Sequence, residues 1–472
     1  MLIALIDDGI VPEACGDLRL EYDLIVEADG VIRLRRAKEP VLTNHGTTCA
    51  QIIHKYAPDA QLCSLGIFQD PKCKTSVGKL TAALDWCRGK RILMIHMSIG
   101  TTWLCDDPPI QSIVLRILQQ GQIIVAAHSN QPQRYTVPAC YSGVLGVAAD
   151  PELQGQSFRV ADAFDLCGVQ IFASSRHDLS EYPGGCKETI VSNSYAAPVI
   201  TARVHKLLQQ AVSQYMSTSA LYRKLADRTI SISRLRPDFL TSAIVFDPAC
   251  QLRQSDCLGF ELLGHYAVES EFLAAIACDP RSPVAVVPSG SLSSAFLNTL
   301  CEASLQRLGI VYAGAAPADL REKVPCIFWD ESIYQLLLTQ LQTRLIDAGI
   351  AIIWVKPQCD GALRLLSNLK KRFFEEGYGC VAISDFPLAY LYGFEYLPEG
   401  CSLNKLVSYL GYTYSPDVII CSVAQDNGLL SPDMRITFEG GKSAVYSEDK
   451  VDLPINPTDA DMEELFLHLM EE

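Results

Sequence analysis

Long apolar runs are missing from this chain: nowhere does an uninterrupted hydrophobic stretch approach the ~18 residues that a membrane helix needs. Its first residues, Met1-Leu2-Ile3-Ala4-Leu5-Ile6-Asp7, carry no basic region and no small-residue cleavage site, so neither membrane insertion nor export is expected. Positive charge is also short. Lys and Arg number 39 against 54 Asp and Glu, a net charge of −15, which argues against nucleic acid or an anionic membrane as partner and favours a basic peptide segment. The 18 cysteines form no C-x-x-C pair and no Cys/His cluster of zinc spacing. They stand singly in apolar runs such as Leu166-Cys167-Gly168 and Ile420-Cys421-Ser422, the pattern of reduced core thiols in a cytoplasmic protein. Dense Asp/Asn clusters are lacking too, so neither a required metal nor another cofactor is expected.

What is present is the composition of a folded protein, 49% hydrophobic and 20% charged, and 472 residues exceed what one core organises, so two domains are expected. The stretch Ser192-Asn193-Ser194-Tyr195-Ala196-Ala197-Pro198 precedes apolar Ile200, Val204, Leu207, Leu208, Ala211 and Val212, the spacing of a buried helical face. Ser194 therefore lies at a helix N-terminus, where free N–H groups can point at an anion and where Pro198 is expected to lose no hydrogen bond. An isolated serine there would simply cap the helix. Upstream segments give it company. Leu2–Ile6 reads as a buried parallel strand that delivers Asp7 at its C-terminal end. Residues 10–44 read as polar and irregular, and Asn44-His45-Gly46-Thr47-Thr48-Cys49-Ala50 then opens a helix running to about Tyr56. Strands at 61–67, 92–100, 123–129 and 144–149 alternate with helical patterns at 75–88 and 108–120, which predicts an α/β fold with a mostly parallel sheet and helices on both faces. Two strand ends carry Ser98-Ile99-Gly100 and Ala127-His128-Ser129-Asn130, at the edge where such a sheet collects its chemistry.

Across residues 1–212 these segments resemble the subtilisin-like serine proteases. Ile6-Asp7-Asp8-Gly9 matches that family's aspartate motif, His45-Gly46-Thr47 its histidine motif, Asn130 its oxyanion asparagine, and Ser192 to Pro198 its serine motif, in the family's order. The resemblance implies that His45 takes a proton from Ser194 and later protonates the leaving amine, while Asp7 orients His45. It implies that the Asn130 side chain and the Ser194 backbone N–H receive the developing oxyanion. Ser98, Ile99 and Gly100 would pair with an extended peptide and wall the primary specificity pocket. Ser192 and Asn193 depart from the family's Gly and Thr, His128 and Ser129 from small residues, and Asp8 from Ser or Thr. Asp106 and Asp107, just beyond the Ser98–Gly100 segment, offer a reason to prefer basic substrate residues. The chain begins at the aspartate strand, leaving no room for the propeptide common in that family, so restraint is expected from narrow specificity or from outside the active site.

Residues 213–240, with Arg223, Lys224, Arg228, Arg234 and Arg236, break the alternation and read as a linker or bridging helix. Strand-like runs at 242–247, 284–288, 326–330, 351–356, 380–385 and 417–423 then predict a second α/β domain over 241–430, followed by a β-hairpin at 434–447 and an amphipathic C-terminal helix within 431–472. Pro288-Ser289-Gly290-Ser291-Leu292-Ser293-Ser294 joins a strand to a helix without the lysine and glycines of a phosphate loop. Through Phe386–Leu391 and Tyr414–Ile420 this half resembles the degenerate nucleotide-hydrolase-like accessory proteins of clostridial peptide-maturation systems. That resemblance implies binding of a ribosomal precursor peptide, or of another maturation enzyme. The function expected from the whole is a cytoplasmic serine endopeptidase whose second half selects a precursor peptide by its leader. Two other readings use the same residues: a transpeptidase or macrocyclase whose acyl-enzyme meets an amine, and a peptide-binding scaffold with an unreactive Ser194.

Overall fold

The structure, a computed structural model, describes residues 1–36, 39–41, 43–68, 74–161, 171–210, 216–226, 237–339, 341, 349–356, 361–424, 432–439, 442–446, 450–454 and 459–471. Residues up to 173 form one nine-stranded sheet: β1 (Leu2–Asp7), β2 (Arg19–Val26), β3 (Ile32–Leu34), β4 (Gln61–Gly66), β5 (Met94–Met97), β6 (Ile123–Ala127), β7 (Leu145–Ala149), β8 (Phe158–Val160) and β9 (Ile171–Ala173). The spatial order is β3-β2-β4-β1-β5-β6-β7-β9-β8, parallel except for β3 and β8 at the two edges. From central β1 the chain builds first towards β4 and then, across β1, towards β5. That reversal opens a crevice at the carboxyl ends of the strands.

Among the described residues, helices α1 (His45–Tyr56), α2 (Val77–Gly89), α3 (Asp107–Gln119) and α4 (Asn193–Gln209) pack on this sheet, and the short helix Thr218–Ala226 adds Leu221, Tyr222 and Leu225 to the core of α1 and α4. The two-residue period of β1 divides its side chains between two cores. Ile3 and Leu5 pack in the core that holds α1 and α4, whereas Ala4 and Ile6 join the core that holds α2 and α3. Residues 10–44, expected to be irregular, contain β2 and β3. A register shift between Leu20 and Tyr22 breaks the alternation of β2, and its outer half is exposed, so the strand pattern is hidden.

The strands beyond residue 241 fall in two sheets. Five parallel strands run in the order Glu261–Tyr266, Ser242–Phe246, Val284–Val286, Gly309–Tyr312 and Ile327–Asp330. A seven-stranded sheet has the order Glu395–Tyr396, Cys380–Ser384, Val418–Ser422, Ala351–Val355, Met434–Glu439, Lys442–Tyr446 and Lys450–Pro454, its last three strands antiparallel. The expected hairpin is the pair Met434–Glu439 and Lys442–Tyr446, although Gly440 and Gly441 lie outside the described residues. The C-terminal helix, Asp459–Glu471, buries Met462, Leu465, Phe466 and Leu469 in the cluster of Leu365, Leu369 and Phe373. Of the bridging segment, Thr218–Ala226 is helical, while Arg228, Arg234 and Arg236 lie outside the described residues. Among the described residues no helix is long and apolar enough to cross a membrane.

Candidate active site

At the crevice β1, β5 and β6 end, and α1 and α4 begin. Asp7 closes β1 with 1% of its surface exposed, and its two carboxylate oxygens lie 2.8 and 3.0 Å from Nδ1 of His45, the first residue of α1. A buried carboxylate facing Nδ1 keeps a proton on that nitrogen and leaves Nε2 as the basic one. Burial alone would lower the proton affinity of His45, but the hydrogen bond it donates to Asp7 and the charges of Asp7 and Asp8 outweigh it, so its pKa is raised above the ordinary 6.5.

The residues around this pair explain why α1 starts there. Gly46 N–H donates to Asp8 Oδ1 at 2.8 Å, and Thr43 donates to Asp8 Oδ2 through its N–H and its hydroxyl. The departure at Asp8 is thus a buried acceptor for the helix N-terminus. Burial raises the pKa of Asp8, with the charge of Asp7 adding to the effect. A Cβ on Gly46 would stand 2.5 Å from the Gly9 carbonyl oxygen and 2.8 Å from Asp8 Oδ1, so only glycine lets α1 approach β1 this closely. Thr47 Oγ1 accepts the Val11 N–H at 3.0 Å.

Ser192 is the N-cap of α4, its hydroxyl accepting the Ser194 N–H at 3.3 Å. Asn193 ties the helix start to the sheet: Oδ1 accepts the Ala149 N–H at 2.7 Å, and Nδ2 donates to the His128 and Ser129 carbonyls at 3.2 and 2.7 Å. The Asn193 N–H in turn donates to Asn130 Oδ1 at 2.9 Å, leaving the Asn130 amide nitrogen to face Ser192, 3.4 Å from its hydroxyl oxygen. Pro198 requires a correction. It is the sixth residue of α4, not one of the first four, so its missing N–H does leave an acceptor, the Ser194 carbonyl. Ser98 Oγ fills the vacancy at 2.6 Å and Cys49 Sγ approaches at 3.6 Å.

A cleft of about 510 Å³ opens beside Ser194, with Ser98, Ile99 and Gly100 on one wall and Ala127 to Asn130 on another. Ser194 lines it, and its Oγ donates to the Ser98 carbonyl at 3.2 Å; no hydrogen bond joins it to His45. The structure therefore brings Asp7 and His45 into contact, and sets Ser194 on Ser98. Behind the cleft, buried His96 bridges Thr201 Oγ1 and Ser98 Oγ at 2.7 and 2.9 Å, its pKa pushed down to about 3 by burial. His96 was missed from sequence, although a histidine inside the apolar run Ile92–Met97 was its signal. Of the two acids beyond Gly100, Asp106 lines the cleft and accepts from Thr101 Oγ1 at 2.7 Å, whereas buried Asp107 accepts from the Tyr135 and Tyr141 hydroxyls. Asp7, His45 and Cys49 have donor atoms within 4.8 Å of one another, yet burial raises the Cys49 pKa well above its usual value. A thiol that keeps its proton is a poor metal ligand.

The subtilase family model matches residues 1–230. Solved structures similar to this chain include a cold adapted subtilisin-like serine proteinase, at 17% identity over 49% of this chain and 82% of that one, with a TM-score of 0.37. The prenylagaramide maturation protease PagA aligns at 21% identity over 44% and 75% of the two chains, TM-score 0.33, and the self-cleaved protease domain of PatA at 18% over 49% and 98%, TM-score 0.32. No curated protein matches the sequence. Residues 1–230 are a serine endopeptidase domain of the subtilase family.

Proposed function

We propose that Ser194 attacks a peptide carbonyl, that His45 Nε2 takes its proton and passes it to the leaving amine, and that Asp7 holds His45 in the required tautomer. The observation that carries this reading is the grip of buried Asp7 on His45 Nδ1 by both carboxylate oxygens. Asn130 Nδ2 and the Ser194 N–H would receive the oxyanion, and the Ser98-Ile99-Gly100 backbone would pair with an extended substrate whose side chain enters the adjoining cleft. For that chemistry Ser194 Oγ turns from the Ser98 carbonyl to His45 when substrate arrives. Apo enzymes commonly hold such bonds long or misaligned.

The substrate in this reading is a ribosomally made precursor peptide in the cytoplasm. Residues 1–212 carry the chemistry, 213–240 bridge, and 241–430 with 431–472 recognise the leader or another maturation enzyme. The net charge of −15 supports a basic peptide, and contacts between residues 412–415 and the loop after Asn130 support communication between the halves.

Intact-mass analysis after exposure to a phosphonate serine-hydrolase probe tests the chemistry. One adduct on wild type, lost in Ser194→Ala, is expected. No adduct on a folded sample would instead favour the peptide-binding scaffold, the second reading suggested by the Ser194 Oγ bond to Ser98. With a peptide in hand, product mass separates hydrolysis, which adds one water, from transfer of the acyl group to an amine.

A further inference from the structure

The two donors that would receive the oxyanion already converge on an oxygen of the protein itself. Ser194 N–H donates to Ser192 Oγ at 3.3 Å and Asn130 Nδ2 at 3.4 Å. Neither donor is loosely placed. The Asn193 N–H fixes the far end of the Asn130 amide, and the Asn193 side chain fastens the start of α4 to β6 and β7 through Ala149, His128 and Ser129. Ser192 itself is extended backbone, with φ −155° and ψ 141°, so no special conformation requires this residue to be serine rather than glycine. Its hydroxyl is what occupies the space between the donors.

We propose that the Ser192 hydroxyl is an internal plug of the oxyanion hole, which an incoming carbonyl oxygen displaces before Ser194 can be stabilised in its attack. This inference rests on the reading of Ser194 as nucleophile. Displacement needs only rotation about χ1, which moves Oγ to another staggered position. Its cost is the two hydrogen bonds Ser192 accepts, and a substrate oxygen carrying developing charge replaces them with stronger ones. Small or poorly anchored acyl groups lack remote contacts to drive the exchange. Peptides bound along Ser98–Gly100 have them, so the plug acts as a specificity filter as well as a brake. The competing role for the hydroxyl, a third donor to the oxyanion, predicts the opposite effect of removing it.

The test measures second-order rate constants for phosphonate labelling of the full chain in wild type, Ser192→Gly and Ser192→Ala, each also combined with Asn130→Ala, with circular dichroism confirming the fold. Glycine caps a helix nearly as well as serine, and alanine leaves the backbone unaltered in freedom, so the pair separates a cap effect from removal of the hydroxyl. Both single variants are expected to label about 3–30-fold faster, the range of one or two hydrogen bonds, and the gain is expected to shrink when Asn130 is absent. Rates equal to or below wild type in both variants would overturn the plug while leaving Ser194 as nucleophile. An absence of labelling in every folded variant, wild type included, would overturn the nucleophile reading, and the plug with it.

Discussion

In the proposed mechanism His45 has to be neutral before it can take a proton from Ser194, and its surroundings hold the proton on. Because its pKa lies above 6.5, the charged, inactive form persists to higher pH; kcat/KM is expected to rise with pH through an inflection above that value. Asp8 contributes to the rise by its charge, so Asp8→Asn, which keeps an acceptor for the Gly46 N–H, is expected to move the inflection to lower pH. A pH–rate profile of the two proteins checks both the position and the sign of the shift. Asn130→Ala removes a candidate oxyanion donor and is expected to lower kcat about 10²–10³-fold with little change in KM, the scale known for such donors. Steady-state kinetics on a cleaved peptide decides it. A parallel fall in binding would assign Asn130 to substrate contact instead.

The start of α4 depends on Ser98, just past β5 and 96 residues before Ser194 in the chain. Ser98→Ala takes the 2.6 Å donor from the Ser194 carbonyl that Pro198 leaves without its helical partner, and also strips His96 of a hydrogen bond. A loss of about 1–3 kcal/mol is expected in urea denaturation. Such dependence marks how far the sequence could be read. The places of Asp7, His45, Asn130 and Ser194 around the crevice were legible through the motifs they share with the subtilisin-like proteases, each at the end of an apolar run or the beginning of a helical one. Asp8 and Asn193 looked like departures, since hydrogen bonds to Gly46 and to Ala149 link residues far apart in the chain. β2 hid behind its bulge and exposed half, and Pro198 was misread because the first helical residue was placed too late. Strand–helix alternation beyond residue 241 revealed parallel pairing but not its division into two sheets, which rests on contacts that no local pattern encodes.

One apolar core runs through both halves of the molecule. Leu118 and Tyr141 of the first half share it with Phe239, Ile327, Trp329 and Tyr390, and the Trp329 and Tyr390 rings lie 4.5 Å apart. Ending the chain at residue 240 would leave those surfaces in water, so that truncation is expected to aggregate, as light scattering would show, rather than yield a free-standing domain. A more local bond between the halves lies beside Asn130. Arg134 donates to the Tyr412 carbonyl at 2.7 Å and stacks over its ring, the Tyr135 N–H donates to the Thr413 carbonyl at 2.8 Å, and the Tyr135 and Tyr414 rings are 4.6 Å apart. Arg134→Ala in the full chain is expected to reduce kcat several-fold while leaving KM nearly unchanged, because the loop behind Asn130 loses its anchor. Equal kcat in the two proteins would show that the loop holds its shape unaided. These contacts also set an order in time. A ribosome releases residues 130–136 long before residues 412–414 exist, so the loop behind Asn130 emerges unsupported, and only late synthesis supplies the missing half of its scaffold.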